Sequence, residues 1–161
     1  MTMSESKTRT MQEWLDAYGV SHQNPLNKKI HWICVPLIFL SIVGLLWSIP
    51  KPWNVDYVWL NFATIALIPV FLFYARLSFS LTIGMMLWCC FCFLFCNYYN
   101  QFIEFPLWQT SIIVFVLAWI GQFYGHKIEG VKPSFFEDLQ FLMIGPAWLM
   151  SFIYNRLGIR Y

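Results

Sequence analysis

Three histidines are the residues of this 161-residue chain whose chemistry is best suited to binding a metal. His22 and His31 lie on either side of Asn24-Pro25, just before a long apolar run, and His126 follows another apolar run. Three neutral imidazoles can hold a transition metal and leave open positions for a substrate. Their spacing is no established metal motif, so spacing alone favours a plainer reading. In that reading the histidines form a polar rim that bonds to headgroups, water or helix-end carbonyls.

The turn between the first two histidines has a clear helix-start pattern. Asn24 can cap a helix whose first residue is Pro25, a position where proline is well tolerated. That helix would run through His31 into the apolar run. The turn lets the chain fold back, so that His22 can approach His31 even though nine residues of one helix would place them on opposite faces.

The third histidine belongs to a second polar pattern. Gln122, His126 and Glu129 recur at i, i+4 and i+7, and they share one helical face if the helix persists past Gly125. Glu129 is a candidate fourth ligand of the metal, or a residue that orients a ligating histidine. Asp138 is a more remote candidate ligand.

The composition indicates an integral membrane protein. Hydrophobic residues make up 59% of the chain and charged residues 11%, whereas a soluble domain carries about 25% charged residues. A net charge of +2 without a basic stripe argues against a nucleic-acid partner. The five cysteines lie in apolar runs, which favours packing inside a span over disulfides or a metal site. We expect one membrane domain over residues 1–161, and the sequence does not indicate its oligomeric state.

Four apolar stretches approach the roughly 20 residues that a membrane-spanning helix needs. Backbone amides in hydrocarbon must be bonded within their own segment, so these stretches are predicted helices. Residues 139–154 form a shorter apolar stretch in which Gly145-Pro146 should kink or break a helix, and we predict a re-entrant or interfacial segment there. The predicted fold is an all-α bundle of four transmembrane helices plus this segment. The four spans are residues 32–49, 57–75, 77–99 and 107–125.

The positive charges predict the orientation of this bundle. With the N-terminal segment, residues 1–30, in the cytoplasm, four spans leave only Lys51 outside, which is a strong positive-inside bias. All three histidines then lie at the cytoplasmic face. The membrane would be a bacterial inner membrane or the endoplasmic reticulum. The cytoplasmic lysines and arginines are Lys7, Arg9, Lys28, Lys29, Arg76, Lys127, Lys132, Arg156 and Arg160.

Two sequence blocks around the histidines resemble a known family. They read "SHQNPLNKKIHWICVPLI" and "WIGQFYGHKIEGVKPSFFEDLQFLMIGPAWL". They are similar to the signature blocks of the membrane-protein family whose yeast member is named for metabolism of phytosphingosine to odd-numbered fatty acids. The resemblance extends from about Trp14 to Tyr154.

The resemblance implies an activity. Yeast-type members of that family are iron(II)-dependent dioxygenases that use O2 to shorten long-chain 2-hydroxy fatty acids by one carbon, by α-oxidation. The resemblance implies His22, His31 and His126 as the iron ligands and catalytic residues, although zinc stays open because imidazoles suit both metals. Besides the metal and O2, the expected binding partner is a membrane lipid or the 2-hydroxy fatty acid itself. Candidate substrate contacts are Asn24, Asn27, Gln122 and Lys127.

Two other functions stay open at this point. A non-enzymatic protein that binds lipid or transports a small solute would use polar residues inside the spans, of which Asn61 and Asn97 are examples. A haem protein would use two of the histidines as axial ligands.

Overall fold

A computed structural model describes residues 9–53, 57–132 and 140–161. Across these three ranges the chain forms six α-helices and no strand, so the predicted all-α class is confirmed. Lys7, assigned above to the cytoplasmic side, and Asp138, a candidate ligand, lie outside the described residues. The helices are α1 (Met11–Val20), α2 (Pro25–Ser48), α3 (Phe62–Leu77), α4 (Phe79–Phe102), α5 (Leu107–Glu129) and α6 (Phe141–Leu157).

Helix α2 begins where the sequence predicts. The Asn24 side chain accepts hydrogen bonds from the backbone N–H groups of Leu26, at 2.8 Å, and Asn27, at 3.5 Å. Pro25 is the first helical residue, where its missing N–H costs nothing. The helix continues through His31 to Ser48.

Helix α5 persists past Gly125, so the predicted polar face at its end exists. It ends after Glu129, where Gly130 adopts a left-handed conformation with φ of 81°. This conformation favours glycine because other residues clash there.

Among the described residues, three helices are long and apolar enough to cross a membrane: α2, α4 and α5. Helix α3 has 16 residues, which reach about 24 Å and fall short of a hydrocarbon core of about 30 Å. It begins later than the predicted span, residues 57–75, because Leu60 N–H bonds to Tyr57 C=O in a turn and Asn61 caps the helix. The predicted count of four spans is therefore not confirmed.

Helix α6 begins at Phe141 within the apolar stretch at residues 139–154, and of the predicted kink or break at Pro146 the break does not occur. The helix runs without interruption from Phe141 to Leu157. Pro146 removes only the hydrogen bond that its own N–H would make to Leu142 C=O. Helix α6 packs on α1, α2 and α4, and this packing holds it together across the proline.

The closest packing in the bundle is between α2 and α5, which run antiparallel. Gly121 and Gly125 of α5 face Cys34 and Asn27 of α2, and a Cβ at either glycine would collide with those side chains. Two glycines four residues apart let helix backbones approach closely in membrane proteins. The start of α2 and the end of α5 are thereby joined at one end of the bundle, which we call the histidine end.

Candidate metal centre

The three histidines meet at the histidine end, although they come from three different elements. His22 lies in the loop between α1 and α2, His31 in the second turn of α2, and His126 in the last turn of α5. One ring nitrogen of each lies within 4.8 Å of the others. Their exposed fractions are 0%, 1% and 5%. This burial does not fit the polar rim that spacing alone favours, since rim imidazoles would meet headgroups and water.

Two of the rings are fixed by backbone carbonyls. His22 Nδ1 lies 2.6 Å from Tyr18 C=O, and His31 Nδ1 lies 3.0 Å from Asn27 C=O. A carbonyl oxygen only accepts hydrogen bonds, so Nδ1 carries the proton in both rings. In a neutral imidazole the other nitrogen, Nε2, then carries no proton and has a free lone pair. Metal-binding histidines are commonly oriented in this way.

These two lone pairs point at each other across 2.9 Å, the distance between His22 Nε2 and His31 Nε2. A shared proton would relieve the contact, but burial and the neighbouring His31 lower the pKa of His22 to about 3, so the ring is neutral at pH 7. A metal ion satisfies both lone pairs. Two nitrogens each about 2.1 Å from a metal and at right angles lie about 3 Å apart, which fits the observed distance.

The same distance argues against His22 and His31 as the two axial ligands of a haem iron, but it does not bear on a pair that includes His126. Axial ligands on opposite sides of a haem iron lie about 4 Å apart, twice a metal–nitrogen bond of about 2 Å. His22 and His31 are too close for that arrangement.

His126 completes the group with an unsatisfied atom. Its Nδ1 is buried and has no hydrogen-bond partner among the described residues. A buried polar atom without a partner is costly, and a bound metal or a substrate oxygen would satisfy it. The site therefore has the donor set of a three-histidine metal centre.

Glu129 lies outside the group of ligand nitrogens and holds the loop instead. Its carboxylate accepts hydrogen bonds from the backbone N–H groups of Gln23, at 2.7 Å, and Asn24, at 2.8 Å. It also accepts one from Asn27 Nδ2 at 3.0 Å. Of the two roles predicted for Glu129, these contacts favour support of the site, because they fasten the loop that carries His22 to the end of α5.

The four candidate substrate contacts differ in position. Gln122 is buried and lines the cavity described below. Asn24 and Asn27 are used in the cap of α2 and the contact with Glu129. Lys127 is exposed and does not line the cavity.

Two aromatic residues that the sequence did not indicate contact His22. The ring of Tyr18, from α1, stacks on His22 with centroids 4.1 Å apart and an angle of 13°. Trp148, from α6, lies 5.2 Å from His22. A tyrosine four residues before a histidine on an amphipathic helix is the only signal that could have indicated the first contact.

An apolar cavity of about 430 Å³ adjoins His126. His126 and Gln122 line one part of it, together with Trp119 and Phe115 from the same face of α5. Helix α2 contributes a stripe at helical spacing that continues from His31 toward the opposite end of the bundle. The stripe is Val35, Ile38, Phe39, Ile42, Val43 and Leu46.

One of three comparisons with known proteins gave a match. A search of curated proteins and a search of solved structures each gave no match. A family profile described as 2-hydroxy-palmitic acid dioxygenase Mpo1-like matches residues 8–157. The matched range contains all three histidines, Glu129 and the helices that form the cavity. The chain therefore belongs to the 2-hydroxy-palmitic acid dioxygenase Mpo1-like family.

Proposed function

We propose that this protein is an iron(II)-dependent dioxygenase that removes one carbon from long-chain 2-hydroxy fatty acids at the cytoplasmic face of its membrane. The observation that carries the proposal is the buried group of His22, His31 and His126, in which two unprotonated nitrogens face each other at 2.9 Å. The family description supports the substrate class.

The overall reaction balances without a second cosubstrate. A 2-hydroxy acid, RCH(OH)CO2H, and O2 give RCO2H, CO2 and H2O. The bond between the first and second carbons breaks, and the two carbons together lose the four electrons that O2 gains. Bound iron(II) supplies the one-electron chemistry that allows O2 to react with a closed-shell substrate. The three imidazoles hold the metal, and Tyr18, Trp148 and the helix packing keep bulk water away from it.

The cavity matches the apolar tail of such a substrate. Leu46 follows Val35 by eleven positions on the lining stripe, which corresponds to about 16 Å along the helix. An extended chain advances about 1.2 Å per bond, so this length accepts about 13 carbons. The oxygen-bearing end of the substrate would lie at Gln122 and His126, where the lining is polar.

One side of the cavity is open to the outside of the helix bundle. Helices α3 and α5 both line it but make little contact with each other. Ile42, which lies on the lining stripe, is 43% exposed. In a bilayer this side would face acyl chains, and a fatty acid could enter with its tail already in an apolar environment.

A non-enzymatic lipid-binding protein is the second candidate, because the cavity by itself accommodates an acyl chain. That function has no use for three converging imidazoles. The two functions differ in whether a bound 2-hydroxy acid is consumed.

Turnover of 2-hydroxypalmitate tests the proposal. The purified protein is reconstituted anaerobically with iron(II), exposed to O2, and assayed by mass spectrometry for pentadecanoate. We expect one pentadecanoate formed per O2 consumed, and loss of the product in His126→Ala. Asn100→Ala, an exposed substitution at the opposite end of the bundle, is the matched control. Binding of the acid without product, at full iron loading, would favour the lipid-binding alternative.

A further inference from the structure

The cavity contains a second polar group whose role is not explained by the metal centre. Tyr18 lines the cavity and is 93% buried, since its exposed fraction is 7%. Its backbone carbonyl and its ring both contact His22. The hydroxyl takes part in neither of these contacts. It makes no hydrogen bond to any residue in the described part of the chain.

Helix α6 makes room for this hydroxyl. A Cβ at Gly145 would lie 2.9 Å from Tyr18 Oη and 3.4 Å from Cζ, and both residues line the cavity. Only glycine leaves this space without displacing the phenol, because real Cβ atoms do not approach so closely. The hydroxyl is therefore held by the fold at a fixed place in the cavity wall.

The polar end of the cavity has few groups that could bind a carboxylate. The described lining contains no lysine and no arginine. A buried carboxylate needs hydrogen-bond donors, and bonds to charged groups are the stronger ones. Besides His126, the lining residues that can donate from a side-chain N–H or O–H are Gln122, Trp119 and Tyr18.

We propose that the Tyr18 hydroxyl binds the carboxylate of the fatty acid by donating a hydrogen bond. This inference rests on the proposed function for the identity of the ligand. The ring and carbonyl of Tyr18 position His22, whereas the hydroxyl contacts the substrate. A phenol hydroxyl can donate this bond without carrying a charge itself.

Tyr18→Phe isolates this role, because it keeps the ring and the backbone and removes only the hydroxyl. The first measurement uses metal-free protein, so it does not depend on turnover. Palmitate and hexadecane each compete with a fluorescent fatty acid for the cavity. We expect Tyr18→Phe to weaken palmitate binding by about tenfold or more, as for loss of a hydrogen bond to a charged group, and to leave hexadecane binding unchanged. Tyr124→Phe, at a residue that is 58% exposed on α5, is the matched control and should change neither.

Gly145→Ala provides an independent variant. The added methyl group should displace the hydroxyl and weaken palmitate binding in the native background. In the Tyr18→Phe background the closest contact is gone, so the same substitution should have a much smaller effect. Equal effects in both backgrounds would contradict the inference.

Turnover separates this inference from the proposed function. If the native protein converts 2-hydroxypalmitate, we expect Tyr18→Phe to raise KM with iron content unchanged. If the native protein converts nothing but Tyr18→Phe still weakens palmitate binding selectively, the inference stands and the proposed activity is wrong. If Tyr18→Phe binds palmitate as the native protein does, the hydroxyl does not contact the carboxylate and the inference is wrong.

Discussion

The chain has two groups of residues whose side chains commonly bind metals, the three histidines and the four cysteines of α4. The histidines come from three elements and meet in one buried group. The cysteines are adjacent in sequence but free, and Cys92 and Cys96 pack among apolar residues such as Val43 and Trp47. Cys90 is exposed on another side of the helix.

This difference shows what a metal centre requires of a fold. Ligand residues three or four apart on one helix share a face, as Cys89, Cys92 and Cys96 do, but their side chains alone do not form a compact group of ligand atoms here. Convergence at the histidines depends on the α2–α5 packing and on a loop fastened by Glu129. Orientation depends on the two carbonyls that fix the Nδ1 protons. The cysteines have none of these supports among the described residues.

The largest expected effect separates the two groups directly. We expect His31→Ala to reduce formation of the shortened acid by more than about 100-fold, because losing a ligand should exceed the 10–100-fold typical of losing a supporting residue. Cys92→Ser should retain its iron content and most of its activity, since Cys92 packs with apolar residues. Rate assays with matched iron analysis check both. Similar losses in the two variants would remove the distinction between the groups.

A smaller effect is expected from the contact that fastens the loop. In Glu129→Gln one acceptor oxygen becomes an NH2 group, which would face the donors that now bind the carboxylate. We expect iron affinity to fall by about 10–100-fold, with the histidines still present. Titration of metal-free protein with iron(II) under anaerobic conditions measures this. Glu104→Gln, an exposed carboxylate between α4 and α5, should bind iron normally. An unchanged affinity in Glu129→Gln would mean that the loop holds its shape without the carboxylate.

The helix packing behind the site gives a third prediction. Gly125→Ala places a methyl group against Asn27 Oδ1, so either the Asn27 side chain leaves its contact with Glu129 or α2 and α5 move apart. We expect a loss of about 1–3 kcal/mol in the free energy of unfolding, as for other overpacked interiors. Gly19→Ala is the control, because the nearest atom to its Cβ would be at an ordinary 3.6 Å. Unfolding in detergent measures both, and equal stabilities would show that the interface tolerates the methyl group.

A last predicted effect is a pH dependence of stability that the cysteines cannot cause. Burial lowers the pKa of His22 to about 3 in the folded chain, below its usual value of 6.5. The unfolded chain therefore binds the proton more readily, and metal-free protein should lose stability as the pH falls from about 6.5 toward 3. Melting temperatures across this range, compared with those of His22→Gln, measure the contribution. A flat profile in the native protein would show that His22 is not buried in a neutral form.

Much of the site could be predicted from local sequence rules. Asn24-Pro25 is a helix start whose geometry depends on adjacent residues only, and the structure confirms it. The shared face of Gln122, His126 and Glu129 depends only on helix continuity, which the structure also confirms. Local rules were less successful where tertiary packing dominates, because α6 continues through Pro146 and α3 is shorter than the predicted span.

Tyr18 contacts His22 from only four residues away, but the other contacts that sequence reasoning missed join distant elements. Tyr18 and Trp148 lie 130 residues apart in sequence, and only the packing of α1 on α6 brings them over His22. The bonds from the loop to Glu129 cross more than 100 residues. A spacing rule for one helix contains no information about such contacts.

The most direct test of the account is the iron content of protein purified in detergent without a histidine tag and reconstituted anaerobically with iron(II). We predict about one iron per chain, lost in His126→Ala and retained in Cys92→Ser. No bound iron in the native protein, or iron retained without His126, would contradict the assignment of the three histidines as its ligands.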